Sequence, residues 1–134
     1  MATFAALSAA FALASSAFHP GGAIPARYTC AGRNVSPPLT WTAPPRGTRS
    51  FSVTLVDVDA GFLHWQGFDI PASARSLAAG AHLKLVGLNS YHESGYAGPC
   101  PAPGRVHHYV FTLRAVGAGG RVLAEANLKA TFKQ

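Results

Sequence analysis

Phe51-Ser52-Val53-Thr54-Leu55-Val56 alternates apolar and polar side chains and runs into Asp57-Val58-Asp59-Ala60-Gly61. Successive side chains of an extended chain point to opposite faces, so the alternation predicts a half-buried strand ending in a polar, glycine-containing loop. Working outward, Trp65 to Ile70 forms a second run, stopped by Pro71. Tyr109-Val110-Phe111-Thr112-Leu113-Arg114-Ala115-Val116 is β-branched and aromatic, and it ends at Gly117-Ala118-Gly119-Gly120. Phe11 to Phe18 reads as a first strand, and Leu123 to Phe132 as either a closing strand or a short helix. Turn clusters separate these runs at Pro20-Gly21-Gly22, Ser36-Pro37-Pro38, Pro44-Pro45-Arg46-Gly47 and Pro99 to Gly104. Apart from the last segment, only Ala72 to Ala81 offers a helical reading, and neither carries an apolar stripe. Short strands between Gly/Pro turns, with no βαβ alternation, predict a mainly β fold built as an antiparallel sandwich.

The chain has 134 residues and 49% hydrophobic content, enough for one core and too little for two domains. The expected division is an N-terminal extension or part of a signal-like segment over residues 1–10 and a single domain over 11–134. Lys and Arg number 11 against 5 acidic residues, a formal charge of +6, but the basic residues form no block. A nucleic-acid binder would more often cluster them on one face, so nucleic acid is not an expected partner. General attraction to anionic ligands stays open.

Met1 to Ala17 has no charged side chain, and Ser15 and Ala17 sit like the −3 and −1 positions of a signal-peptide cleavage site. The segment lacks a basic n-region and, if Pro20 and Gly21 end it, is shorter than a membrane span. No transmembrane segment is expected. The cytoplasm is the expected location, with the periplasm or secretion as the alternative if this segment is a signal peptide. Cys30 and Cys100 allow either one disulfide or two buried thiols, and neither lies in a CxxC pair.

Asp57 and Asp59, one residue apart, share a face if extended and diverge in a turn, where Asp is an ordinary turn former. His64 follows a short glycine-containing loop and so comes within hydrogen-bond reach of a strand-end Asp. Such a pair holds the imidazole in one tautomer and favours its charged form, which suits an anion. His107 and His108 precede a strand and should face opposite ways, one inward. No HExxH or comparably tight spacing is present, so no metal or cofactor is expected. Ser94-Gly95 is no GxSxG elbow and Cys100 is flanked by prolines, which argues against an enzyme. The alternative is a hydrolase using an Asp–His pair.

Several motifs in order carry a resemblance: Ile24-Pro25-Ala26-Arg27-Tyr28-Thr29-Cys30, Asn34 to Trp41, Gly47-Thr48-Arg49-Ser50-Phe51, DVDAG at 57–61, His64-Trp65, Asp69-Ile70-Pro71, GYAGPCP at 95–101 and HHYVFTLRAV at 107–116. Together they resemble the phosphatidylethanolamine-binding proteins, most closely the bacterial and archaeal branch called Raf kinase inhibitor-like. The resemblance runs from about Phe11 to the C-terminus.

It implies a β-sandwich with a small pocket for phosphate, a phospholipid head group or a phosphorylated side chain. By motif, Asp57 and Asp59 match the two Asp of the family's DPDxP segment, and His64 matches its pocket histidine. Pro101 lies on the pocket-wall loop, while His107 and Tyr109 match the His and Tyr of GxxHRY. The implied function is non-enzymatic binding or regulation, with a kinase or a protease as the protein partner. Separately from the resemblance, a homodimer is left open. An interaction protein with a vestigial pocket is a further alternative. Three departures stand out: both prolines of DPDAP are lost, the HRY arginine is His108, and only Gly117-Ala118-Gly119-Gly120 stands where the family usually inserts a helix that helps cover the pocket. They imply a more open site.

Overall fold

The computed structural model describes residues 10–134. The expected N-terminal extension, but for Ala10, lies outside the described residues, as does the first half of the signal-like segment. The strands in chain order are β1 (Leu13–Ala14), β2 (Leu39–Trp41), β3 (Ser50–Asp57), β4 (Phe62–Pro71), β5 (Ser76–Leu77), β6 (Leu85–Val86), β7 (Val106–Val116) and β8 (Val122–Lys133). They pair antiparallel into two sheets, one in the order β1-β2-β5 and one in the order β6-β4-β3-β7-β8. Helical structure among the described residues is limited to two single 3-10 turns, Ala26–Tyr28 and Ala118–Gly120.

The alternation along β3 builds the core. Phe51, Val53, Leu55 and Asp57 are buried, while the residues between them are half-buried. Opposite them on β7 stand Ala115, Leu113, Phe111 and Tyr109, and β8 continues the inner face with Ala126, Leu128 and Ala130. The smaller sheet closes over this face: Trp41 meets Phe51 edge-on at 5.4 Å between ring centroids, and Phe11 stacks on Phe51 at 6.1 Å. Burying a side chain such as Phe51 contributes roughly 1.5–3 kcal/mol, so the sandwich is held chiefly by these alternating positions. The free edge of β8 is covered by residues 21–24, where Ile24 N–H donates to Thr131 O at 2.8 Å and Thr131 N–H to Gly22 O at 2.9 Å.

Two expectations change and one open alternative is resolved. The first strand covers Leu13–Ala14 rather than all of Phe11 to Phe18, because only those two residues pair with β2. Residues 72–81 form no helix: a turn closes with Ala74 N–H on Pro71 O, and Ser76–Leu77 pairs with β2. Of the two readings of the last segment, the strand holds. Its inward Ala126, Leu128 and Ala130 alternate with outward Glu125, Asn127 and Lys129, and period-2 burial against β7 overrides the helical propensity of its alanines. Between β7 and β8 the chain makes one 3-10 turn with Gly119 and Gly120 at φ 68° and 79°, which glycine adopts at no steric cost. No helix is inserted there.

Candidate functional site

The site lies where the ends of β3 and β7 meet β4. Leu55 pairs with Trp65 and Val56 with Leu63, which leaves His64 as the extra residue of a β-bulge. A bulge re-aims side chains that strict alternation would send outward. His64 and Trp65, though adjacent, are therefore both buried, at 3% and 2% exposure.

Asp57, the last residue of β3, is 4% exposed and stands directly opposite Tyr109. Its Oδ1 accepts the Ala60 N–H at 3.0 Å, which folds the β3–β4 loop back onto the carboxylate. Its Oδ2 lies 2.6 Å from Nδ1 of His107, the diagonal neighbour across the sheet. The expected partner was His64. The register places His107 beside Asp57, while the bulge carries His64 onto the Ala97 carbonyl, with Nδ1 and O 2.7 Å apart. A carbonyl can only accept, so His64 holds its proton on Nδ1 and, when neutral, has a lone pair at Nε2.

The charge of His64 also departs from expectation. Burial lowers its pKa from the ordinary 6.5, against the opposing pull of the Ala97 carbonyl and the Asp57 charge. It is a neutral imidazole near pH 7, because desolvation outweighs the carboxylate.

Tyr109 is fully buried, and its hydroxyl has no hydrogen-bond partner. Burial, then the nearby Asp57 charge, pushes the phenol well above its usual range, so it stays protonated and is a donor rather than a phenolate. Its ring meets His64 edge-on at 5.7 Å. Phe62 lies 4.7 Å from His64 and 4.6 Å from Tyr91, completing a cluster of rings over the buried polar atoms. Phe62 and Tyr91 escape the sequence reading. Phe62 had a usable signal, two residues before His64 on one strand; Tyr91 sits in a loop with none.

Asp59 and His108 lie outside. Asp59 Oδ2 accepts the backbone N–H of His108 at 2.6 Å and sits 2.9 Å from its Nδ1. Those bonds from His108 hold the Asp59 carboxyl below its ordinary value. Two parallel Asp–His pairs result, one inward and one exposed. The oxygens of Asp57 and Asp59 and a ring nitrogen of His107 nonetheless lie within 4.8 Å of one another.

Residues 95–101 form the third wall. Ala97 N–H donates to His64 O at 3.0 Å, Gly98 N–H to Asn34 Oδ1 at 2.7 Å, and the Tyr96 hydroxyl to Tyr28 O at 2.5 Å. A Cβ on Gly98 would stand 2.3 Å from Tyr28 O, so only glycine lets this loop pack so closely. Cys100 is bonded to Cys30, with Cα atoms 5.4 Å apart, and Pro101 is buried immediately after it. No polar contact brings Pro101 to the other site residues; the loop alone places it. A 210 Å³ cleft lined by Cys30, Cys100, Glu93, Ala97 and Gly98 reaches the ring cluster through Tyr91.

The phosphatidylethanolamine-binding protein family profile matches residues 14–133. The chain belongs to this family. Within it, the chain is 39% identical over 114 residues to the UPF0098 protein of Methanothermobacter thermautotrophicus, covering 78% of this chain and 75% of the relative. The UPF0098 protein of Aquifex aeolicus is 32% identical over 160 aligned positions, covering 98% and 93%. That alignment is longer than the chain itself, so this family member carries segments absent here. Among solved structures, the phosphatidylethanolamine-binding protein homolog CT736 of Chlamydia trachomatis superposes with TM-score 0.85 at 30% identity, covering 95% of this chain and 99% of that one. YbcL of Escherichia coli superposes with TM-score 0.84 at 25% identity, covering 94% and 99%.

Proposed function

We propose that the chain is a non-enzymatic binding protein that takes an anionic group, such as phosphate, a phospholipid head group or a phosphorylated side chain, at Asp57, His64, Pro101, His107 and Tyr109. The observation that carries this reading is the buried, unpartnered hydroxyl of Tyr109. An orphan donor costs stability unless something accepts from it, and an anionic oxygen is the strongest acceptor available. His64 would supply a second donor once protonated at Nε2, and Asp57 holds His107 in place beside it. The hydroxyl has no accessible surface, so a ring must move to admit the ligand; Tyr91, 47% exposed and lining the 210 Å³ cleft, is the ring that would do so. Cys100 is consumed in a disulfide, which supports binding rather than covalent catalysis.

A kinase or protease as regulated partner follows from family resemblance alone. Among the described residues no helix is long and apolar enough to cross a membrane. The Cys30–Cys100 bond favours an oxidising compartment, the periplasmic or secreted alternative, over the cytoplasm. Calorimetric titration with phosphate and with phosphatidylethanolamine vesicles tests the reading. Saturable binding that disappears in His64→Ala, with the circular dichroism spectrum retained, supports it. Equal binding by the variant, or turnover of a phosphoester panel, overturns it.

A further inference from the structure

We propose that Asp57, Asp59 and His107 form a site for one divalent cation of the Mn²⁺ or Zn²⁺ class. The three come from two strand ends joined only by the fold, and their ligand atoms lie within 4.8 Å of one another. That is the spacing of groups that can share one ion.

The ligands keep capacity for it. Each carboxylate oxygen carries two lone pairs, and the hydrogen bonds from Ala60, His107 and His108 occupy only part of them. The site is reachable: the side chains of Asp59 and His107 are 45% and 20% exposed, while Asp57, at 5%, forms the floor. A second observation points the same way. Tyr109, fully buried with its hydroxyl unpartnered, stands directly opposite Asp57 in the β3–β7 pairing and offers a neutral oxygen beside the cluster. Two carboxylates and one imidazole suit Mn²⁺, Fe²⁺ or Zn²⁺, whereas Ca²⁺ demands six to eight oxygens. The sequence carries no sign of the site because its imidazole lies 50 positions from Asp57, across the β3–β7 pairing. The inference shares Asp57 and His107 with the anion pocket proposed above and stands whether or not an anion binds there.

The test is titration of the full chain with MnCl₂ alone, read by calorimetry and by the paramagnetic resonance of free Mn²⁺. One ion per chain is expected, bound at least about tenfold more weakly by Asp59→Asn and by His107→Gln. Asp59→Asn retains an acceptor for the His108 N–H, so its spectrum should remain native; His82→Gln, distant from the cluster, should bind as the parent does. No saturable binding, or equal affinity in the parent, Asp59→Asn and His107→Gln, overturns the proposal and assigns any residual binding to surface histidines. Phosphate titration in chelator-treated buffer reads the anion pocket separately.

Discussion

His64 and Tyr109 meet edge to face with ring centroids 5.7 Å apart, one with its Nδ1 committed to Ala97 O and the other with a hydroxyl committed to nothing. Aromatic packing fixes the pair, and it leaves a polar atom inside the sandwich that the protein alone does not satisfy. Retaining such an atom costs stability, which is the mark of a group held for a ligand.

Replacing Tyr109 by Phe removes the orphan hydroxyl and keeps the ring. The variant should be as stable as the parent or more stable by up to about 1 kcal/mol in urea unfolding, while losing roughly tenfold in phosphate affinity. A variant clearly less stable than the parent would mean that the hydroxyl has a partner in the free protein.

His64 sets a pH dependence. Its folded-state pKa lies below the ordinary 6.5 because of burial, so the unfolded chain binds more protons in that range. The stability it contributes is therefore complete above about pH 6.5 and declines as the pH falls toward its folded value. Melting temperature should drop across that window, and His64→Gln should flatten the slope. Asp59, lowered from 3.8, acts in a separate and more acidic window. An anion that needs protonated His64 reverses the sign for binding. Sulfate, which does not itself titrate there, should bind more tightly as the pH falls, by up to about tenfold per unit for one proton taken up.

Gly98→Ala tests the wall loop. The new Cβ would lie 2.3 Å from Tyr28 O and 2.7 Å from Asn34 Oδ1, contacts that force the backbone apart. A loss of roughly 1–3 kcal/mol is expected, together with weaker phosphate binding as Ala97 shifts under His64. Unchanged stability would show that the loop is not seated as described.

The Cys30–Cys100 bond closes a separation of 70 residues. Chain-entropy arguments give such a link about 4 kcal/mol, so reduction should lower the urea midpoint markedly. Intact mass of the untreated protein should be two hydrogens below the reduced chain. Two free thiols in protein handled without reductant would contradict the bond.

Much of the fold was legible because burial imposes a period of two. Phe51 to Val56 read as a strand from its own pattern, and Tyr109 to Val116 from its β-branched and aromatic content. Both strands extend beyond those limits, to Asp57 and back to Val106, because cross-strand pairing recruits His107 and His108, whose side chains carry no propensity signal. Leu13–Ala14 and Ser76–Leu77 are two-residue strands fixed only by β2, which local sequence cannot show. In the site, the residue types were legible and the partnerships were not. The bulge at His64 is a property of register, and it decides both which histidine meets Asp57 and how deeply His64 is buried. Tyr91 is placed by a loop whose course no alternation describes.

The central claim is that an anion accepts from Tyr109 beside His64. A crystal structure of the protein grown with phosphate measures it directly. The account predicts a phosphate oxygen within about 3 Å of the Tyr109 hydroxyl, with Tyr91 displaced and His64 Nε2 turned to the same anion. Phosphate found only on surface arginines and lysines, with the Tyr109 hydroxyl still alone, would contradict it.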